Sequence, residues 1–534
     1  MRLAVNRRLE VLAVAVLFAL LFETVGALLG QDLNFDQLNY HLSSVRELLG
    51  GEHWSRYAIA QRQSWFNPLP QVPSYLIVTR LPAWLAAATL ALLPVANALA
   101  VHAIARRFVF PGRDCWSVLA ALACALVGAT GTIHLMVVAT TFAEAWLSAV
   151  VLGGCHTLMA AAETADGRQR ARWSGIAGLC LGLAAGLKPT NLIYCAAGVV
   201  TLLVVVLPRH RRARDLAWFA LAGMAAAALA GGWWQLGLWR QFGNPAFPMA
   251  NGLFGSRWIA PDALFAEPFA PRHWWEAFTQ PLLLAVGDHS RTLSTLLPNR
   301  DARYAVGLYA ALALAARLAA RRAEADPALA ALTAFFLAGY LAWFFGFNID
   351  RYALPLELLA ATVAAALARE LGWLERRRGR IALLLLLALV VIASRPVRSW
   401  RVPLGGDWFE LAVPAELNRA DTLYVMAGGG PFGWLTLYPE RFGARVAFVR
   451  VGGNFRFDPD ALLSRRIAGR IAAHRGSLRS LAQIGELGAS RVQLARFGLR
   501  QAPGPCATIR SKTAPIVSCP LERQSRPGTH VRTK

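Results

Sequence analysis

The chain has 534 residues, of which 56% are hydrophobic and only 16% are charged, and its formal net charge is +24. Soluble domains carry about 25% charged residues, so this composition excludes an ordinary water-soluble protein and indicates a chain that folds in lipid. Many of the arginines lie in short clusters between apolar runs, a pattern that sets membrane orientation, so we expect no nucleic-acid partner.

Eleven apolar runs are long enough, or nearly long enough, to cross a bilayer as helices of about 20 residues. They span residues 9–29, 84–105, 116–136, 142–162, 173–187, 189–207, 216–237, 303–319, 328–347, 350–369 and 380–394. Lys188-Pro189 separates the fifth run from the sixth, because proline cannot donate a backbone hydrogen bond and disfavours a helical residue before it. The sequence therefore predicts an all-α polytopic membrane protein with about eleven transmembrane helices.

Arginine collects in every second connection, beginning before the first run. Under the positive-inside rule the N-terminus is cytoplasmic and the C-terminus is exported. The exported parts are then loops 30–83 and 238–302, the turns near residues 140, 188 and 348, and the tail. The first run has the basic start of a signal peptide, but its apolar length favours an anchor. We expect a multi-pass protein of the bacterial inner (plasma) membrane whose active side is periplasmic.

The chain changes character near residue 395, which predicts two domains: a transmembrane domain over 1–394 and a small periplasmic α/β domain over 395–534. Strands are predicted at Thr422–Ala427 and Arg445–Val451. Cys506 and Cys519 lie in the last part of this tail, where an oxidising periplasm permits a disulfide without requiring one. Gly428–Gly433 matches the G-x-G-x-x-G pattern, but no acid ends the next strand, so we interpret it as a strand-to-helix turn.

The first exported loop contains Phe35-Asp36-Gln37-Leu38-Asn39-Tyr40-His41-Leu42. Its apolar residues recur at helical spacing, which predicts an amphipathic helix at the membrane surface. Asp36 and Tyr40 then share one face, with His41 adjacent. Two interpretations of Asp36 are open: a carboxylate that carries chemistry, or the N-cap or first-turn acid of a surface helix.

The end of the same loop is dense in polar and aromatic residues. Arg62, Gln63 and Asn67 lie where the chain re-enters the membrane, and such a segment can line a cavity. Its aromatic residues are equally typical of a membrane interface, Trp54, Tyr57 and Trp65 among them.

Three exported turns carry charged residues. A lysine in an apolar run, such as Lys188, is costly unless it reaches water or an anion, and a broken helix offers backbone N–H groups to a phosphate. Arg351, followed by Tyr352, is a second phosphate candidate because guanidinium binds phosphate through two parallel hydrogen bonds, unless Asp350 neutralises it. Three interpretations of Glu144 are open: it caps a helix, it holds an acceptor hydroxyl, or it orders a basic partner.

Together these segments resemble the bacterial GT-C class of integral-membrane glycosyltransferases, close to the protein mannosyltransferases and lipid A aminoarabinose transferases. The resemblance spans about residues 10–395 and is carried by the loop around Asp36, Arg62-Gln63 with Asn67-Pro68, Gly186–Thr190, Gly243–Pro248 and Arg351–Pro355. It implies that Asp36 is the catalytic base and that Lys188 and Arg351 hold the phosphate of a polyprenyl-phosphate sugar. The remaining predicted substrate-binding residues are Tyr40, His41, Arg62, Gln63, Asn67, Glu144 and Tyr352.

Some relatives in that class carry two neighbouring acids that bind a divalent metal. Here the loop has Asp32 and Asp36, four residues apart. A divalent metal therefore stays open, and no cofactor is assigned.

We therefore expect a glycosyltransferase that moves a sugar from a polyprenyl-phosphate carrier to a lipid, glycan or protein acceptor of the envelope. One strong acid candidate, where retaining glycosidases use a closely spaced pair, predicts inversion. The alternative is a transporter or flippase of lipid-linked saccharides, a class that often shows internal repeats with broken helices. We find no clear repeat. A third interpretation is a scaffold for envelope assembly that works through its tail.

Overall fold

The computed structural model describes residues 6–51, 57–210, 213–261, 269–289, 299–321, 324–396, 400–454 and 458–524. Trp54 lies outside these residues, and so do three arginines of the arginine-rich connections, Arg211, Arg212 and Arg322. The chain forms two compact units. The helical unit comprises Met1–Gly30, Ala87–Trp233 and Phe265–Ser399, and the loop–tail unit comprises Gln31–Ala86, Trp234–Leu264 and Trp400–Lys534.

The α-helices are numbered in chain order. The first eleven are α1 Arg7–Leu29, α2 Ser43–Leu49, α3 Val72–Arg80, α4 Ala83–Leu92, α5 Val95–Ile104, α6 Cys115–Ala129, α7 Thr132–Val137, α8 Glu144–Glu163, α9 Gly167–Leu187, α10 Leu192–Thr201 and α11 Leu207–His210. The others are α12 Ala213–Ala227, α13 Trp233–Phe242, α14 Asn251–Phe254, α15 Glu276–Val286, α16 Arg303–Ala320, α17 Pro327–Gly346, α18 Leu354–Glu370, α19 Arg377–Ala393, α20 Leu462–Ala473 and α21 Leu487–Arg496.

Shorter helical turns join these helices. The π-helical turns are Gln37–His41, Ala105–Val109, Leu202–Val206 and Ala228–Gly232. The 3₁₀ turns are Gln61–Trp65, Leu69–Gln71, Pro189–Asn191, Asp350–Ala353, Trp373–Glu375, Ala415–Leu417, Gly433–Leu437, Pro439–Arg441 and Ile484–Glu486.

Every predicted apolar run is mainly helical in the structure, but the run 116–136 is broken at Thr130-Gly131, between α6 and α7. Among the described residues, eight helices are long and apolar enough to cross a membrane: Arg7–Leu29, Ala83–Val109, Glu144–Glu163, Pro189–His210, Ala213–Phe242, Arg303–Ala320, Pro327–Gly346 and Asp350–Glu370. Of the other three runs, α6 and α19 are shorter, with 15 and 17 residues, and α9 begins with a turn rich in arginine. The protein is a multi-pass membrane protein, as predicted; which of its ends faces the cytoplasm stays a prediction.

The helical unit is held together by close helix packing, and α9 against α12 is its tightest example. Gly178, Gly182 and Gly186 recur every fourth residue on α9, and a Cβ atom on any of them would overlap the α12 backbone. Small residues at this spacing let two helix backbones approach closely, which is how membrane helices associate without a hydrophobic driving force. The glycines therefore fix the end of α9, where Lys188 follows.

The strands of the loop–tail unit come from the first loop, which contributes β1, and from the tail, which contributes the rest. The strands are β1 Gln31–Asp32, β2 Arg401–Val402, β3 Thr422–Met426, β4 Ala447–Arg450, β5 Ser477–Gln483, β6 Leu499–Gln501, β7 Ala507–Ile509, β8 Ile516–Ser518 and β9 Leu521–Arg523. The main sheet has the order β4-β3-β5-β8-β7, parallel between β4, β3 and β5 and antiparallel beyond. The predicted strands at Thr422–Ala427 and Arg445–Val451 are thus β3 and β4.

One hydrophobic core holds parts of both exported loops together with the tail, although the predicted domain division places the loops in residues 1–394. Trp65 from the first loop, 1% exposed, and Phe247 from the second share a core cluster with Val425 of β3 and Ile467 of α20. The rings of Phe247 and Trp65 lie 4.8 Å apart. Trp65 is therefore a core residue and not an interfacial aromatic. The two candidate cysteines, Cys506 and Cys519, are joined by a disulfide.

We expect the Gly182→Ala variant to be less stable than the native chain, because the new methyl group would overlap the backbone of Gly223 on α12. Overpacking of this kind costs about 1–3 kcal/mol. Gly175→Ala on the same helix is the matched control, since its nearest neighbour would be 3.9 Å away. Thermal unfolding in detergent measures the difference; equal midpoints for both variants would contradict the packing argument.

Candidate functional site

Three predicted site residues of the helical unit meet at one carboxylate. Lys188 Nζ lies 2.6 Å from Glu144 Oε1, and Arg351 Nε lies 3.1 Å from the same oxygen. The side chains of Glu144, Lys188 and Arg351 are only 8%, 15% and 16% exposed. Two cations thus share one carboxylate oxygen in this cluster. Of the interpretations open for Glu144, the geometry fits the one in which it orders basic partners.

Aromatic rings cover the two cations. The guanidinium of Arg351 lies 4.2 Å from the ring centre of Phe142, and Tyr352 lies 5.3 Å from Lys188 Nζ and 5.6 Å from Arg351. Cations over aromatic faces are attracted by the ring quadrupole, most strongly where water is excluded. Tyr352, predicted to bind substrate, therefore helps to hold both cations.

The break between α9 and α10 positions Lys188. Helix α9 ends at Leu187, Lys188 has an extended backbone, and a 3₁₀ turn over Pro189–Asn191 leads into α10. The Asn191 side chain closes the turn by donating to the carbonyl of Ala184 at 3.1 Å. The predicted interruption at Lys188-Pro189 thus places a lysine at a helix end.

Hydrogen bonds from neighbouring helices hold the turn that carries Arg351. Trp343 Nε1 donates to the carbonyl of Ile349 at 2.7 Å, and Tyr194 Oη donates to that of Tyr352 at 2.7 Å. Asp350 accepts from Asn299 Nδ2 and from the backbone N–H of Arg351, both at 2.8 Å. The turn is therefore fixed before any ligand binds.

The other predicted site residues lie in the loop–tail unit. Asp36 precedes the π-helical turn Gln37–His41, and its side chain makes no capping hydrogen bond to that turn. Asn34 takes that place, since its Oδ1 accepts from the N–H of Gln37 at 2.9 Å. The Asp36 side chain therefore does not cap this turn; its roles as a first-turn acid and as a carboxylate that carries chemistry both stay predictions. Burial lowers the pKa of nearby Arg401, and Asp32 partly offsets this.

The segment is helical, as predicted, through the π-helical turn and α2, but its first part is not an amphipathic surface helix. Polar residues of the segment are as buried as its apolar ones: Asn34, Gln37, Asn39, His41 and Ser43 are all at most 1% exposed. The reason is that the segment has no free polar face, because it is enclosed by other parts of the loop–tail unit. Tyr40 packs its ring against His41 at 4.5 Å and against Phe66 at 5.5 Å.

The later part of the loop contacts this segment directly. Asn39 Nδ2 donates to Gln63 Oε1 at 3.2 Å, and Gln63 also accepts from Asn454 Nδ2 of the tail at 3.1 Å. Arg62 Nη2 lies 3.6 Å from Met249 Sδ. Asn67 accepts from the N–H of Leu69 at 3.1 Å and so shapes a turn. The structure thus links Gln63 to the Asp36 segment.

The tail fixes the Asp36 segment at several points that the sequence analysis missed. Strand β1 pairs with β2, and Trp408 Nε1 donates to Gln37 Oε1 at 3.4 Å. Gly433 lies so close to Asn39 that a Cβ atom there would overlap the Asn39 carbonyl oxygen. Of these contacts, only Gly433 had a signal in the sequence, as the last glycine of the G-x-G-x-x-G match.

The glycine turn itself is satisfied by the protein. Gly428 and Gly430 donate their N–H groups to Gln493 and Glu486 at 2.6 and 3.0 Å, and their carbonyls accept from Arg450 Nη2 at 2.9 and 2.7 Å. Burial lowers the pKa of Arg450 to about 9, which leaves it charged at neutral pH. The turn is structural, as predicted from its context. Among the described residues, no group of three or more His, Cys, Asp or Glu side chains is placed to hold a metal ion.

No protein-family model matches the chain, and no curated protein matches it. Among solved structures, ArnT, an aminoarabinose transferase from Cupriavidus metallidurans bound to undecaprenyl phosphate, aligns with a TM-score of 0.53 at 14% identity. The alignment covers 95% of this chain and 97% of that one. The chain has the fold of a GT-C glycosyltransferase.

The expected fold class is therefore confirmed over nearly the whole chain. The apo oligosaccharyltransferase from Archaeoglobus fulgidus also aligns, with a TM-score of 0.46 and 15% identity, over 90% of this chain and 71% of that one. At these identities the likeness describes the fold alone.

We expect Gly433→Ala to loosen the Asp36 segment, because the new methyl group would overlap the Asn39 carbonyl and lie 2.8 Å from Ser43 Oγ. Amide hydrogen exchange over residues 34–43 should rise about tenfold or more, as it does when local opening costs about 1.4 kcal/mol less. Gly488→Ala in α21 is the control, since it meets open space. Unchanged exchange in the Gly433 variant would contradict this role of the tail.

Proposed function

We propose that the protein is a glycosyltransferase that moves a sugar from a polyprenyl-phosphate carrier to an acceptor hydroxyl on the periplasmic face of the membrane. The observation that carries this proposal is the cluster of Lys188 and Arg351 around Glu144, where aromatic rings cover two cations at helix ends of a GT-C fold. The solved structure of ArnT that shares the fold is bound to undecaprenyl phosphate, which supports a lipid-phosphate ligand.

In this proposal the cation cluster holds the carrier phosphate. A polyprenyl phosphate is an amphiphile whose charged group stays at headgroup level, where helix ends and turns lie. When the phosphate enters, Lys188 and Arg351 have an anion that competes with Glu144 for their charge. As the bond between the sugar and the phosphate breaks, negative charge grows on the phosphate, and both cations stabilise that charge.

The loop–tail unit supplies the base in this proposal. The Asp36 carboxylate takes the proton of the acceptor hydroxyl while the hydroxyl oxygen attacks the anomeric carbon. The carbon–oxygen bond to the carrier breaks on the opposite side, and polyprenyl phosphate leaves. Support for Asp36 comes from its place directly before the π-helical turn Gln37–His41, on a segment anchored at several points by the tail. A single displacement of this kind inverts the anomeric configuration.

Transfer of label from a panel of radiolabelled polyprenyl-phosphate sugars tests the reaction in membranes that contain the full chain. We expect Asp36→Asn to lower transfer by about 10²–10⁴-fold, the usual contribution of a general base. Asp460→Asn is the control, an exposed carboxylate of the same unit that pairs with Arg465. Transfer that is equal in native chain and Asp36 variant would rule out Asp36 as the base.

Other outcomes of the same assay separate the remaining interpretations. If no donor in the panel is used, while labelled lipid-linked saccharide crosses the membrane, the protein is a transporter or flippase. If the product keeps the anomeric configuration of the donor, the single displacement is wrong. Both outcomes leave the fold unaffected.

We expect Lys188→Gln and Arg351→Gln each to weaken binding of undecaprenyl phosphate by about 10- to 100-fold, because each removes a charge-assisted hydrogen bond to the phosphate. The control is Arg321→Gln, which removes an exposed arginine of the helical unit that pairs with Glu324. Titration of the detergent-solubilised chain by native mass spectrometry gives the affinities. Undiminished binding in both variants would contradict a phosphate site at this cluster.

A further inference from the structure

One cavity of the loop–tail unit has no role in the reaction proposed above. It has a volume of about 1030 Å³, at the upper end of the range for ligand pockets. Helix α2, the 3₁₀ turns before β4, β4 itself and α20 contribute to its walls. The residues that decide its chemistry are Arg46, Glu47, Tyr57, Tyr75, Phe448 and Arg470.

Positive charge dominates these walls. Arg46 on α2 and Arg470 on α20 both line the cavity, and within the described residues neither guanidinium has an ion-pair or hydrogen-bond partner. Glu47 is the one acid of the described lining. Arg46 also borders a smaller cavity of about 380 Å³ with Asp407 and Glu410, but it forms no ion pair with either. Two guanidinium groups on different elements suit an anionic ligand, because each offers several donors in a fixed plane.

Aromatic side chains supply the other half of the lining. Tyr57, Tyr75 and Phe448 come from three separate elements, and all three are half-buried. Aromatic rings present flat apolar faces, and tyrosine adds a hydroxyl at its edge. A sugar ring has the matching character, with C–H groups on its faces and hydroxyls around its rim. A bare hydrocarbon chain fits less well, since it would desolvate the guanidinium groups without binding them.

The helix that lines the cavity follows, along the chain, the segment that carries Asp36. Helix α2, which contributes Arg46 and Glu47, follows one residue after the π-helical turn Gln37–His41. At about 1.5 Å per helical residue, Arg46 lies roughly 15 Å along the chain path from Asp36. The tail holds both ends of this path, through Gly433 against Asn39 and through the walls from β4 and α20.

We propose that this cavity binds the saccharide part of an anionic acceptor, with Arg46 and Arg470 on its charged groups and Tyr57, Tyr75 and Phe448 on its sugar rings. That the bound saccharide is an acceptor rests on the function proposed above, whereas the binding of an anionic saccharide does not. The tail then has a defined role, since it forms a wall of the acceptor site and holds the acid-bearing segment in register with it. The cavity thereby selects a charged glycan among the lipid, glycan and protein acceptors.

Direct binding to the detergent-solubilised full chain tests this without turnover. The probes are hexasaccharides that bear carboxylates, sulfates or phosphates, with hyaluronan hexasaccharide as the carboxylate member and neutral chitohexaose as the uncharged match. We expect at least one anionic probe to bind more tightly than chitohexaose. Arg46→Gln and Arg470→Gln should each weaken that binding about tenfold or more, the size expected for one charge-assisted hydrogen bond.

The matched control is Arg465→Gln, which removes the same charge from the same helix α20 at an exposed residue outside the cavity. It should leave binding unchanged. Equal binding of charged and neutral probes, no binding of any anionic probe, or equal loss in all three variants would overturn the proposal.

The two proposals fail in different ways. If sugar transfer is absent but the anionic probes bind and depend on Arg46 and Arg470, the cavity is a saccharide site and the proposed reaction is wrong. If transfer occurs but the probes do not bind, the reaction stands and the cavity has another role.

Discussion

Charge at the end of a membrane helix has to be matched, and the carboxylate of Glu144 matches two cations at once. Lys188 and Arg351 come from different turns, and both reach the same oxygen. Removing one partner of a buried ion pair is strongly destabilising because the other charge is left uncompensated. Here one carboxylate serves two cations whose side chains are largely buried. The two cations make the cluster both a structural joint and a candidate anion site.

The loop–tail unit follows a different constraint, the need to satisfy buried polar groups. The segment from Asn34 to Ser43 is rich in amides and hydroxyls, and burying them without partners would cost free energy. The tail supplies Trp408 for Gln37, and Gln63 of the later loop accepts both from Asn39 and from Asn454 of the tail. The backbone that carries Asp36 is thereby fixed. The tail therefore has a structural role, while the helical unit carries the side chains that we propose to bind phosphate.

Local features of the fold could be predicted from the sequence, and distant ones could not. Apolar length predicted the helices, proline predicted the break after Leu187, and alternating turn signals predicted β3 and β4. The π-helical turn at Gln37–His41 was missed because its apolar spacing is that of an ordinary amphipathic helix. The contact between Gln37 and Trp408 joins residues 371 apart, and no local pattern records such a pair.

The candidate site shows the same division. Lys188, Arg351 and Glu144 were each recognised as unusual charges in exported turns, and one of three hypotheses for Glu144 described an acid that orders a basic partner. That a single oxygen contacts both cations depends on how α8, the α9–α10 break and the turn before α18 pack, which spacing alone does not give. The cavity beside α2 is lined by α2, α3, two 3₁₀ turns, β4 and α20, and it left no sequence signal except isolated arginines and aromatics.

A structure of the full chain with undecaprenyl phosphate tests the central claim most directly. The account predicts the phosphate within hydrogen-bond or ion-pair distance, about 4 Å or less, of both Lys188 Nζ and the Arg351 guanidinium. It also predicts that Lys188 turns from Glu144 toward the phosphate. A phosphate bound elsewhere, with Lys188 and Arg351 still closed on Glu144, would contradict it.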